Sequence, residues 1–141
     1  MNLRVACATD DGQDLINRHF GDAEAYLIYD VDDENFEQIK EISNSTEDDH
    51  DDETEEHADP EKARSIKELL KEEGVQVLLS RQFGPNIKRV RKHFVPVVAK
   101  KFRLVDAVRM LKDNLDLVRH QWEKEEERKH IVLDGKNYHR S

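Results

Sequence analysis

At the start of the chain Leu3, Val5 and Cys7 alternate with Arg4, Ala6 and Ala8, which predicts a buried strand. Thr9-Asp10-Asp11-Gly12 closes it with turn chemistry. Ala25–Val31, rich in β-formers, predicts a second strand, and Asp32–Asn35 a turn. Phe36–Ser43 is read as a third strand, although its apolar residues at 36, 39 and 42 fit neither period well. Asn44–Ala58 is too polar to pack and is expected to be a mobile loop. Asp59-Pro60-Glu61 then reads as a helix start, a capping acid followed by proline at the first helical position. Ala63, Ile66, Leu69 and Leu70 form its apolar face, and Gly74 ends it. Val75–Leu79 is a short apolar run, a fourth strand buried on both faces.

After the loop Ser80–Gly84, Pro85 opens a second helix with Ile87, Val90 and Phe94 near one stripe. Val95–Ala99 is the fifth strand. From Leu104 a long helix is expected, with Val108, Leu111, Leu115, Val118 and Trp122 continuing one face. Its EKEEERK end reads as a solvated tail, and Ile131–His139, with Asp134-Gly135, as a small hairpin.

The order β-β-β-α-β-α-β-α predicts an α/β fold. Three meandering strands feed two right-handed parallel crossovers, giving a mixed five-stranded sheet in the order 3-2-1-4-5 with helices on both faces. Val5, Cys7, Leu27, Ile28, Ile66, Leu69, Val77, Leu79, Val97, Val108 and Leu111 are expected inside. The crevice of such a sheet opens beyond the carboxyl ends of its parallel strands, near the switch between strands 1 and 4. Thr9, Asp10, Asp11 and Ser80–Gly84 fall on that rim, and His19-Phe20-Gly21 returns toward it.

The length of 141 residues suits one core. Two units are expected: a domain over 1–113 containing the acidic loop 44–58, and a helical extension over 114–141. The net charge of −9 is unevenly spread. Glu47–Glu61 holds ten acids and no Lys or Arg, so the remainder sums to +1. Arg81–Arg103 holds eight Lys and Arg and no acid, which implies an anionic partner or a tether to the acidic loop. No apolar run nears the ~18 residues that span a membrane, and the first residues lack a signal-peptide pattern. Cys7 is the only cysteine, so no internal disulfide forms, and the cytoplasm is the expected compartment.

His19 is the candidate metal ligand, since imidazole binds iron and borderline metals and the neighbouring glycine lets a bulky ligand approach. The alternative is a loop histidine bonded to a carbonyl, with Phe20 as an anchor. Arg81 and the helix start at Pro85 offer positive potential to an anion; the alternative is an ordinary strand–helix turn. His50 and His57 sit in an acidic loop without the spacing of a calcium site. Nucleic acid is not an expected partner, because few aromatics interleave with the basic residues. A two-metal nuclease needs further carboxylates beside Asp10 and Asp11, and strand 4 ends in Ser80 and Arg81 instead. Cys7 reads as inert core. No catalytic constellation is readable, so an enzyme is not expected.

VACATDDG at Val5–Gly12, RHFGDAEAYLIYDV at Arg18–Val31 and EEGVQVLLSRQFGP at Glu72–Pro85 resemble the dinitrogenase iron–molybdenum cofactor biosynthesis family, the NifX-like domain also found at the end of NifB-type proteins. The resemblance covers about the first 113 residues. It implies a ribonuclease-H-like fold and a non-catalytic carrier or chaperone for an anionic metal–sulfur cluster, of the iron–molybdenum cofactor or precursor type. It also implies a cluster donor or acceptor protein as partner. The alternative is a regulatory or interaction module that keeps the fold without a cofactor. His19, Phe20 and Gly21 carry the family's most recognisable element and Gly84-Pro85 its second. With Thr9, Asp10, Ser80, Arg81 and Gly84 they make the expected cluster site, His19 being the metal ligand. The stripe ending at Trp122 is expected to anchor a partner, a homodimer through the extension among them; the other outcome is that it folds back on its own sheet.

Overall fold

The computed structural model describes residues 2–44 and 65–134. The alternating start forms β1 (Leu3–Thr9), followed by β2 (Ala25–Val31) and β3 (Phe36–Ser43). α1 (Ile66–Glu72), β4 (Val77–Ser80), α2 (Ile87–Val90) and β5 (Val95–Ala99) follow. Then come α3 (Leu104–Asp113), α4 (Leu115–Glu123) and β6 (Ile131–Leu133).

Among the described residues the sheet has six strands, not the expected five, in the order β3-β2-β1-β4-β5-β6. β1 pairs antiparallel with β2 and parallel with β4, with Val5 opposite both Tyr29 and Val77. The added strand is β6, which lies parallel on β5, Val97 facing Ile131 and Ala99 facing Leu133. Ile131–Leu133, expected to open a small hairpin, pairs with β5, and the rest of that expected hairpin lies outside the described residues. Its two inward residues are buried on the core face of α3 and α4, a burial that pairing with β5 provides.

Because β1 is central, its two faces feed two cores. Leu3, Val5 and Cys7 join Val77, Leu79 and Val97 beneath α3 and α4. Ala6 and Ala8 join Ile28, Leu78, Leu70 and Phe94 beneath α1 and α2. Ile66 and Leu69 are only half-buried, and Leu70 makes the deep contact of α1. Gly74, at φ +79°, turns the chain out of α1 in the left-handed conformation that suits glycine.

Several boundaries move for local reasons. α1 is capped by Ser65, whose Oγ accepts the Glu68 N–H at 3.2 Å. The expected start at Asp59-Pro60-Glu61, the face residue Ala63, and His50 and His57 lie outside the described residues, as does the acidic run. Asn44, expected to open that loop, is instead buried. Its amide donates to the carbonyls of Ala23 (2.9 Å) and Gly21 (3.2 Å). The long helix is two helices, broken at Asn114 (φ −121°, ψ 29°). There the Asn114 side chain donates to Met110 O at 2.8 Å and its carbonyl accepts the Val118 N–H at 3.3 Å, closing one helix and opening the next.

The apolar stripe survives that break. Leu104, Val108, Leu111, Leu115 and Val118 are all buried, and Trp122 is half-buried against the same core. The stripe expected to meet a partner is thus taken up by the chain's own sheet. Arg128 secures the return. Only 6 % exposed, it lies 4.1 Å over the Trp122 ring. It donates to Trp122 O (3.1 Å), Lys92 O (2.9 Å) and Arg91 O (3.4 Å). Among the described residues, no helix is long and apolar enough to cross a membrane.

Candidate functional site

The carboxyl ends of β1 and β4 carry three linked loops. In the loop after β1, the Thr9 hydroxyl is buried, donates to Asp14 O at 2.7 Å and accepts the Gly12 N–H at 2.9 Å. Asp11 accepts the N–H groups of Gln13 and Asp14, and those bonds hold its carboxyl below the usual carboxylate range. Asp10 grips Arg18 with both oxygens at 2.7 Å and accepts the Glu24 N–H at 3.0 Å. Thr9 and Asp10 are committed to shaping the loop, which presents the segment that follows.

That segment is His19-Phe20-Gly21. His19 bridges in parallel to Gln82, and the Phe20 N–H reaches Gln82 O at 3.1 Å. Gln82 in turn donates its amide to Asn17 O and Asn17 Oδ1. The two loops are thereby stitched side by side. Phe20 is buried, 4.9 Å from Tyr26 and stacked on Phe83 at 5.5 Å between ring centres. Tyr26 donates its hydroxyl to Phe20 O at 2.9 Å. The anchor expected of Phe20 is present, and it leaves the neighbouring imidazole exposed at the surface.

His19 lies against Gly84. A Cβ at position 84 would stand 3.0 Å from His19 Nδ1, tighter than ordinary contact. Glycine at 84 therefore lets the ring pack closely against the main chain. At Gly21 a Cβ would meet nothing within 4 Å, so close approach does not require that glycine.

Beside this contact opens a cleft of about 440 Å³ between the His19 loop, α1 and the Gly84–Asn86 turn. Phe20, Phe83, Phe94, Leu70 and Leu78 make its wall, and His19 and Lys67 stand among its lining. The structure thus brings together His19, Phe20, Gly21 and Gly84 from the residues expected. It does not bring in Arg81, whose guanidinium lies 4.3 Å over the ring of Phe102, on the loop after β5. Phe102 is 66 % exposed and offers the guanidinium a flat aromatic face. Ser80 is buried and only distantly met by the Gln82 N–H, at 3.4 Å. The helix expected from Pro85 begins at Ile87 and runs four residues, too short for the expected dipole at the rim.

Lining residues outside the expected site include Lys67, Leu70 and Asn86. Lys67 and Leu70 reach the cleft because α1 crosses over it, and Asn86 because Pro85 turns the chain. The adjacency of Gln82 to the histidine loop was the legible signal, since both flank the predicted switch point. Cys7 is buried, which pushes its thiol far up and removes it as a thiolate ligand. No three His, Cys, Asp or Glu side chains gather as a metal site among the described residues. One imidazole, one ammonium and an apolar wall can hold a bulky anionic ligand at a single coordination point, with hydrophobic and electrostatic contacts around it.

No curated protein matches the chain in sequence. The model of the family described as dinitrogenase iron-molybdenum cofactor matches residues 1–114, the span that contains β1 to β5, α1 to α3 and every residue of the His19 cleft, and the chain belongs to that family.

Proposed function

We propose that the protein is a non-catalytic carrier that holds an anionic metal–sulfur cluster of the iron–molybdenum type at the His19 cleft and passes it between a donor and an acceptor protein in the cytoplasm. The single observation that carries this is the packing of the exposed His19 imidazole on Gly84 at the mouth of a cleft with apolar walls. Family membership makes cofactor handling the context. The order β3-β2-β1-β4-β5 within the sheet supports the ribonuclease-H-like relationship that the resemblance implies.

The cluster is cargo in this reading. His19 supplies the one nitrogen ligand, Lys67 a neighbouring positive charge, and the phenylalanines a dry wall that excludes water from sulfides. A single protein ligand keeps affinity modest, which suits a carrier that must release what it binds. An interaction module without cargo is the second reading, favoured by the apolar share of the cleft wall, which also suits a protein side chain.

Anaerobic incubation with isolated iron–molybdenum cluster, desalting and elemental analysis separates the two. The carrier reading expects retained iron and molybdenum in the parent protein, and their loss in His19→Ala with an unchanged circular dichroism spectrum. Equal metal content in parent and variant would move the site elsewhere. A colourless parent protein would favour the interaction module.

A further inference from the structure

At the opposite end of the sheet, where β1, β4 and β5 begin, lies a second cleft of about 480 Å³. Asn2 and Arg4 of β1, Lys71 of α1, Gln76 before β4, His93 before β5 and Trp122 of α4 line it. Its charge is one-sided. The carboxylate in its wall, Asp30, is taken by Arg4 through both oxygens, at 2.8 and 3.2 Å, so that pair is neutral. Lys71 Nζ lies 3.5 Å from His93 Nδ1 and has no carboxylate within 4 Å among the described residues. Behind Trp122 stands Arg128, buried and bonded, among the described residues, to main-chain carbonyls alone. Its Nη2 bonds to nothing among the described residues, and burial lowers its pKa. Lys67 and Lys92 add to the same field.

We propose that this cleft binds a tetrahedral oxoanion, free or as the phosphate of a small molecule, through Lys71 and His93 in the field of Arg128. A buried guanidinium that feels Glu125 but forms no ion pair with it within 4 Å among the described residues, an ammonium beside an imidazole and a neutralised Arg4–Asp30 pair leave positive potential in a concave site. His93 registers it: burial first, then Lys71, Lys67, Arg128 and Lys92, hold its pKa below the ordinary imidazole value. An oxoanion would reverse those charge effects and accept hydrogen bonds from Lys71 and protonated His93. The cleft exceeds the size of one such ion, which leaves room for a small organic group beside Trp122.

Trp122 is the chain's one tryptophan, so its fluorescence reports on this cleft directly. Inorganic phosphate and glycerol 3-phosphate are titrated separately, with sodium chloride holding ionic strength constant. The expected result is a saturable change absent with chloride alone, together with a rise in the His93 pKa followed by proton NMR. Tighter binding of the ester identifies the phosphate of a small molecule, and equal binding a free anion. Lys71→Met, an exposed position outside both cores, should weaken binding by about tenfold. A response that chloride reproduces, or one unchanged in Lys71→Met, overturns the proposal.

Discussion

Cutting the chain after Asn114, where the family match ends, removes α4, β6 and Arg128. Four residues of the removed piece are core: Leu115, Val118, Ile131 and Leu133, none more than 6 % exposed. Burial of a side chain of this size stabilises by about 1.5–3 kcal/mol, so the four together contribute on the order of 6–12 kcal/mol. A domain of this size has about 5–15 kcal/mol in total. The cut also uncovers the apolar edge of β5 and returns Val97 and Ala99 to water. The expected outcome is that fragment 1–114 is not a stable domain. It should lack a cooperative thermal transition by circular dichroism, and its amide NMR signals should be poorly dispersed. A soluble fragment that melts within a few degrees of the full chain would refute the reasoning, and would show that α4 and β6 rest on a core complete without them.

Gly84→Ala places a methyl against His19 Nδ1; because His19 is exposed and can swing away, stability should change by less than about 1 kcal/mol while metal retention after anaerobic loading falls. Thr9→Val keeps the shape but strands the Gly12 N–H and the Asp14 carbonyl, and should cost about 1–3 kcal/mol in urea unfolding. His93 has a folded pKa below its unfolded value, so it contributes stability that is present above about pH 6.5 and lost as pH falls through the folded value, because the unfolded chain then takes up the proton first. His93→Gln should flatten the stability profile in that window, measured by urea midpoints from pH 7.5 downward; an unchanged slope would assign it to other groups.

The strands were legible where side chains alternate or run apolar between turn residues. Phe36–Ser43 was found in spite of its pattern, because it is an edge strand with most residues exposed and so has little burial to announce it. The break at Asn114 was hidden for the opposite reason. The stripe from Leu104 to Trp122 keeps helical spacing through it, and one asparagine bonding to the turn behind is a weak mark. β6 is three residues long and pairs with a strand more than thirty positions earlier, information that no local period contains. At the site, topology correctly placed His19 beside the loop after β4. It could not say which way Arg81 points, since that depends on Phe102, a residue the predicted rim did not include.

The centre of the sheet is also the first strand made. Every residue of β1 except Arg4 is buried in the finished fold, and its parallel neighbour β4 begins at Val77. On the ribosome, a β1-β2-β3 meander can form as soon as Ser43 has emerged, but its β1 edge then faces solvent with unpaired backbone groups and apolar side chains. At about 5–20 residues per second that edge waits some seconds for β4. β3, the edge of the sheet among the described residues, carries Glu37, Lys40 and Glu41, charges that discourage a second chain from adding to it. Beyond Arg4 near its start, β1 carries no such charges, because both its faces end in a core. Aggregation during synthesis is thus the hazard built into this strand order, and it is greatest at the strand that later becomes the most protected.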